Sequence, residues 1–238
     1  MIILIVKNIS LTVLVPFYNE ENTIIKSLKN LIDSNVADEI ILINDCSSDN
    51  SLKKLNKFIL KDKNIQIINN DRNYGKGFCI KNAIKFINCE YFIVHDADLE
   101  YNPYDILDLK KLISKNPNSV ILGSRFIGTK NRKNKYKRTI FANKFLSRFF
   151  SLFNLYTTTD VATCYKLFPS SHVKDIMLYE KGFSYEVEIL SKMITKTDSI
   201  VEWPIEYFGR SFQEGKKIKF TDAFRYVISI LKYRTKFI

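Results

Sequence analysis

Two carboxylates one residue apart, Asp96 and Asp98 of Val94-His95-Asp96-Ala97-Asp98-Leu99-Glu100, carry the strongest chemical signal in the sequence. They follow directly on an apolar run, Tyr91–Val94. Alternation along an extended segment puts both on one side, where they can share a cation. Glu100 extends the same face. Hard oxygen ligands of this kind suit Mg²⁺ or Mn²⁺, which commonly bridge to substrate phosphates. Read alone, the pair also fits turn carboxylates that cap the helix expected from Tyr104. His95 alternates to the opposite face and reads as a packed or hydrogen-bonded histidine.

Other polar clusters stand in similar places. Pro16-Phe17-Tyr18-Asn19-Glu20-Glu21 sits at a helix start, where free amides and the helix dipole favour anions. Tyr18 can offer a ring face or a hydroxyl to a ligand. Asp45, after a second apolar run, can accept hydrogen bonds from a nucleobase N–H, and Asp49 reads as a helix cap. Gly75-Lys76-Gly77 resembles part of a phosphate loop without full Walker or dinucleotide spacing. Glu186 and Glu188, two apart on a helix, cannot share one face, so one of them is expected to approach the site.

These clusters need a scaffold, and the apolar periodicity supplies one. Leu11–Val15, Ile40–Ile43, Ile65–Ile68, Tyr91–Val94 and Val120–Leu122 read as buried strands. Helical patterns follow them at 20–34, after Asn44–Asp49, from Gly75 to about Phe86, and over 104–115. Such alternation predicts an α/β fold with a mainly parallel sheet covered on both faces. Ligands of open α/β sheets bind beyond the carboxyl ends of the strands, so the polar clusters should converge on one edge. The second half predicts a Phe-rich helix (Ile140 to Phe153), a strand near 165–168, a helix near 183–196, a strand Ile200–Trp203 and a helix from about Thr221. The chain reads as a single domain over 1–238 with a carboxyl-side amphipathic helical extension. No internal repeat or linker interrupts it.

Composition narrows the classes. The chain of 238 residues carries 37 Lys and Arg against 25 Asp and Glu, a net charge of +12, which predicts an anionic partner. A solvated lysine-rich surface is the plain alternative, as it is for the Lys130–Arg138 loop. Four cysteines without a C-x-x-C pair and only two histidines exclude a disulfide framework and a zinc ribbon, and suit a reducing cytosol. No run reaches the about 18–20 apolar residues of a spanning helix. Met1–Val6 lacks the basic flank of a signal peptide. A nucleic-acid binder is disfavoured because no nucleic-acid module is present, and a nucleotidyl transferase because the first strand lacks a Gly-rich triphosphate loop.

In this order, Pro-x-Tyr-Asn-Glu-Glu, Asn-Asp-x-Ser-x-Asp, Asn-Tyr-Gly-Lys-Gly, Asp-Ala-Asp-Leu-Glu and Gly-Ser-Arg-Phe closely resemble family-2 glycosyltransferases of the GT-A (Rossmann-like) fold. Within them the chain looks most like the polyprenyl-phosphate sugar transferases, the group of dolichyl-phosphate mannose synthase and its glucosyl relatives. The resemblance spans about 11–217. It implies a nucleotide-sugar-binding half over about 11–126 and an acceptor-binding, membrane-facing half over about 127–238. It further implies inverting transfer from a GDP-mannose- or UDP-glucose-type donor to a polyprenyl phosphate. The alternative is transfer to a hydroxyl of a glycan or soluble acceptor in cell-surface polysaccharide synthesis.

Carried over residue by residue, the resemblance implies that Pro16, Tyr18, Glu20 and Asp45 hold the donor nucleoside, with Lys76 and Asp96 on the donor. Asp96, Asp98 and Glu100 would hold Mg²⁺ or Mn²⁺. Arg125, Arg138, Arg210 and Lys216 would face the phosphates of donor and acceptor. Asp98, Arg125 and Asp160 are the catalytic candidates, Asp160 lying near the acceptor. Cys46 and Cys164 stand where Gly is usual, and Glu100 where Gln is frequent. A metal ion would neutralise the departing nucleoside diphosphate. A phosphate acceptor is already anionic and needs cationic positioning, whereas a hydroxyl acceptor needs a carboxylate base. Six basic residues in Lys130–Arg138, beside a Phe-rich helix, suit a membrane interface. The implied location is the cytoplasm, peripheral on the cytosolic face of a membrane, with room for a separate membrane partner subunit and no nucleic acid.

Overall fold

The computed structural model describes residues 9–59, 64–133, 136–211, 213–215, 217 and 220–235. Met1–Val6, Lys135 and Lys216 lie outside them. The first half builds the predicted alternation: β1 (Leu11–Phe17), α1 (Ile24–Asp33), β2 (Glu39–Asn44), α2 (Ser51–Phe58), β3 (Ile65–Asn69), α3 (Lys76–Ala83), β4 (Tyr91–Val94), α4 (Asp105–Lys115) and β5 (Val120–Ser124). Every residue of β1, β4 and β5 is buried, which is why their sequences run apolar without alternation. In α1, Ile24, Leu28 and Leu31 recur at helical spacing and bury one stripe against the core.

The second half adds β6 (Arg132–Lys133), α5 (Lys137–Phe153), β7 (Lys166–Pro169), α6 (Ser170–Val173), α7 (Tyr185–Met193), β8 (Ile200–Pro204), β9 (Tyr207–Phe208) and α8 (Phe220–Lys232). The main sheet has the order β3-β2-β1-β4-β7-β5-β8. Only β7 runs antiparallel to its neighbours, β4 and β5. The short β6 and β9 form a separate parallel pair. Neither of these two-residue strands has the length to show periodicity, so no pattern in the sequence marks them.

Strand order reverses at β1, which lies between β2 and β4. Leu14 pairs with Val94 and Phe17 with Asn44, so the segments after β1, β2 and β4 leave the sheet together. This is the switch point where open α/β sheets bind ligands.

Close packing fixes the site's other wall. A Cβ on Gly77, in the first turn of α3, would lie 2.2 Å from the Glu180 carbonyl oxygen and 2.8 Å from the Tyr185 Cβ. Backbone and a rigid ring stem cannot yield at such distances. Gly77→Ala should therefore cost at least about 1–3 kcal/mol through overpacking, read as a lower urea midpoint. An unchanged midpoint would mean that α3 and the start of α7 are not in contact.

Candidate active site

The converging strand ends open into a cleft of about 490 Å³. Pro16, Tyr18, Glu20, Asp45, Lys76, Asp96, Asp98, Glu100, Arg125 and Arg210 all line it. Backbone strain concentrates at its rim. Asn19, Cys46 and Leu99 have φ of 51°, 60° and 65°, each in the loop after β1, β2 or β4. Asn tolerates this left-handed region, but Cys and Leu adopt it at a cost. Gly, which the sequence resemblance implies at position 46, would adopt this φ without that cost.

The polar cluster after β2 acts mainly as scaffolding for the loop after β1. Ser51 Oγ accepts the Glu20 N–H at 2.8 Å, and Asp49 accepts the N–H groups of Glu21 and Ser51 at 2.9 Å each. Asn19 Oδ1 accepts the Ser48 N–H at 2.8 Å. Asp45, expected to meet a nucleobase, already accepts the backbone N–H of Tyr74 at 3.0 Å and of Gly75 at 2.7 Å. It fixes the turn that delivers Lys76.

The acidic residues form the floor. Asp96 pairs with the Lys76 ammonium at 2.8 Å. Asp98 pairs with Arg210 at 3.1 Å, and the same guanidinium donates to both oxygens of Glu20 at 3.1 and 3.2 Å. Glu100 accepts the Tyr207 hydroxyl at 2.6 Å and the Arg210 N–H at 2.7 Å. Lys217, next to the expected Lys216, reaches Glu20 at 2.6 Å and donates to the Tyr18 carbonyl. The turn-cap alternative for the acidic pair gives way to Asn102, which accepts the Tyr104 N–H at 3.1 Å.

Electrostatics separate the two aspartates. Burial works to raise the Asp96 pKa, but the Lys76 ammonium outweighs it and holds the group below the usual carboxylate range. Asp98 is pushed up to about 7 by burial, then by Glu100 and Asp96, against the pull of Arg210. Asp96, Asp98 and Glu100 offer the hard oxygen donors that a divalent cation takes, and a cation beside them would offset the mutual repulsion that raises Asp98. Among the described residues, no group of three or more such side chains is already gathered to hold one. Asp96 and Asp98 are instead paired with Lys76 and Arg210.

Arg125, which also lines the cleft, is anchored by a fork-to-fork pair. Its Nε and Nη2 donate to the two oxygens of Asp160 at 2.7 Å each, and its backbone N–H donates at 3.0 Å. Asp160 is fully buried and does not line the cleft. It holds Arg125 and does not itself reach the cleft, so its reading as a catalytic group gives way to that of a residue positioning Arg125. The Arg125 guanidinium also lies 4.9 Å from the Tyr207 ring centroid. Arg138 is placed away from this group. It is exposed in the first turn of α5, over the Tyr136 ring, and is not among the cleft-lining residues.

His95 is buried between Ser27 Oγ at 3.1 Å and the Tyr165 hydroxyl at 2.8 Å, as its alternation predicts. Of the two α7 acids, Glu186 lines the cleft, while Glu188 accepts the N–H groups of Tyr179 and Glu180. Tyr101, Tyr207 and Lys217 also line it without having been singled out. Tyr101 and Lys217 lie outside the regular elements and Tyr207 in a two-residue strand, so no pattern marks them.

Comparison with known proteins bears on this geometry. The family model described as "Glycosyl transferase family 2" matches residues 12–177. A dolichyl-phosphate beta-glucosyltransferase of Trichomonas vaginalis is 24% identical over 238 residues, covering 92% of this chain and 71% of that protein. Its counterpart in Dictyostelium discoideum is 27% identical over 259 residues, covering 97% and 79%. Among solved structures, the Mycobacterium tuberculosis glucosyl-3-phosphoglycerate synthase in complex with Mn²⁺, UDP-glucose and phosphoglyceric acid has a TM-score of 0.69 at 15% identity, covering 95% of this chain and 80% of that one. At that identity the likeness is one of fold.

The anchoring of Arg125 has a measurable consequence. Asp160→Asn leaves a buried guanidinium without its counter-charge and should lower stability by about 3–5 kcal/mol, measured by chemical denaturation. A loss below about 1 kcal/mol, the range of an exposed pair, would contradict the buried geometry.

Proposed function

The chain belongs to glycosyl transferase family 2, and from that premise we propose that it moves a sugar, with inversion, from a nucleotide-sugar donor of the UDP-glucose type to a polyprenyl phosphate. Its similarity to dolichyl-phosphate beta-glucosyltransferases over most of their length supports that choice of sugar and acceptor. The observation that carries the reading is the state of the cleft's acids. Glu20, Asp96, Asp98, Glu100 and Glu186 each have a Lys or Arg nitrogen within 4.0 Å. Asp45 is engaged by backbone amides. No cleft carboxylate among the described residues stands free to deprotonate a nucleophile, which suits an acceptor that arrives ionised.

In this reading Pro16 and Tyr18 border the nucleoside, and Asp45 shapes that end of the cleft through the 74–75 turn. Asp96 and Asp98, with Glu100, would hold a divalent cation, which neutralises charge on the departing nucleoside diphosphate. Arg210 and Lys217 sit where they can pass from Glu20 to donor phosphates. Arg125, held rigid by Asp160, presents its guanidinium to the acceptor phosphate. Ground-state attraction there serves to place the phosphate oxygen behind the anomeric carbon.

A second reading, transfer to a hydroxyl, draws on Asp98, pushed up to about 7 by burial, which would have to leave Arg210 to act as a general base. Incubation with UDP-glucose or GDP-mannose, and either a short polyprenyl phosphate or soluble glycan acceptors, separates the two. The expected product is glucosyl polyprenyl phosphate. Product on the soluble hydroxyl acceptors alone would overturn the proposal.

The acceptor's lipid also gives a role to the surface of α5 and α8. No helix among the described residues is long and apolar enough to cross a membrane. Yet Phe141 and Phe145 on α5 are 76% and 51% exposed, and Phe224 on α8 is 69% exposed. Lys137, Arg138, Lys144 and Arg148 are exposed on the same helix as the first two. We place these helices at the cytosolic face of an anionic bilayer, where each basic residue contributes about 1 kcal/mol. Arg138 then meets lipid headgroups, outside the donor site. Replacing Phe141, Phe145 and Phe224 with Ser should release the protein from anionic liposomes in a co-sedimentation assay at physiological salt. Failure of the unaltered protein to co-sediment would contradict the docking.

A further inference from the structure

Four charged side chains from four elements form an unbroken row at the cleft floor. Lys166 of β7 donates to Glu186 of α7 at 2.6 Å, Glu186 lies 3.3 Å from Lys76 of α3, and Lys76 lies 2.8 Å from Asp96 after β4. The row sums to zero charge. Its inner end is sealed, because Lys166 is 1% exposed and its remaining contact is the Thr163 carbonyl. Only Lys76, Glu186 and Asp96 face the cleft. The Gly77 contact locks α3 against the start of α7, and the Phe78 N–H donates to the Lys181 carbonyl at 3.2 Å. That packing holds Lys76 and Glu186 together.

Structure alone does not require so long a row. A Lys76–Asp96 pair is neutral by itself, and a well-packed apolar pair in place of Lys166 and Glu186 would be at least as stable. The additional acid matters when Asp96 changes partners. Once Asp96 turns to a donor diphosphate and its cation, Lys76 loses its nearest counter-charge inside a poorly solvated floor. Without Glu186 it would either compete for Asp96 or swing out of the cleft.

We propose that Glu186, anchored by Lys166, is a positioning residue that gives Lys76 a second carboxylate, so that Lys76 stays at the cleft floor while Asp96 is released to the donor. This assignment rests on the nucleotide-sugar reading above. It separates the work of the two α7 acids: Glu188 ties down the 179–180 backbone, and Glu186 serves the site.

The test pairs binding with stability. Binding of UDP in the presence of Mn²⁺ is measured by calorimetry, with thermal unfolding alongside, for the unaltered chain, Glu186→Gln and the double variant Lys166→Met/Glu186→Gln. The single variant leaves Lys166 buried without its acid and should unfold at a lower temperature. The double variant removes both charges and should recover that temperature. Binding should nevertheless be weaker by about tenfold in both. Recovery of binding together with stability in the double variant would reduce Glu186 to a structural counter-charge and overturn the proposal. So would unchanged binding in Glu186→Gln. If Glu186→Gln does not fold, the double variant decides alone. Absence of binding by the unaltered chain to both UDP and GDP with Mn²⁺ would instead remove the nucleotide-sugar reading, and this assignment with it.

Discussion

A single guanidinium ties together segments far apart in sequence. Arg210 reaches Glu20 after β1 and Asp98 after β4, and its backbone N–H closes on Glu100. Carboxylates brought this close in a poorly solvated crevice repel one another, and isolated buried charges cost several kcal/mol each. The fold can gather them only by supplying cations in the same place. Arg210 and Lys217 do so from the segment after β9, and Lys76 does so from α3. The elements that look peripheral, β6 and β9, are therefore central to the site. Through them the Gly209 N–H donates to the Lys133 carbonyl and holds the Arg210 segment across the cleft.

The same constraint explains the division of the cleft. The acids pair with Lys76, Arg210 and Lys217, cations that under the proposed function would change partners when a diphosphate and its metal arrive. Arg125 differs, because it is fixed by a fully buried Asp160 and packed among aromatic rings. A mobile set of charges suits a leaving group on which charge develops. A fixed guanidinium suits positioning of an anion already formed, at lower entropic cost.

Much of this is legible from residue order. Buried parallel strands announce themselves as short apolar runs, and the rule that ligands sit beyond their carboxyl ends brings Pro16, Asp45, Asp96 and Arg125 to one place without any coordinates. What stays hidden depends on distant pairing. Lys166 lies in a strand yet is buried, because Glu186, twenty residues on, neutralises it. Asp160 looks like a reactive acid until Arg125 is seen to claim both its oxygens. Asp49 reads from the sequence as a helix cap, yet with Ser47 and Ser48 it also bonds across to the neighbouring loop. Arg138 closes a basic run of which Lys137 and Arg138 lie exposed in the first turn of α5, and Arg138 does not line the cleft.

The proposed function stands on the acids after β4 as the seat of a divalent cation and a nucleoside diphosphate. Electron paramagnetic resonance of Mn²⁺ titrated into the protein with UDP present tests it most directly. The account predicts a single bound Mn²⁺ per chain in the unaltered protein, and affinity weaker by at least about tenfold in Asp98→Asn. Equal Mn²⁺ binding by the two proteins, or none by either, would contradict it.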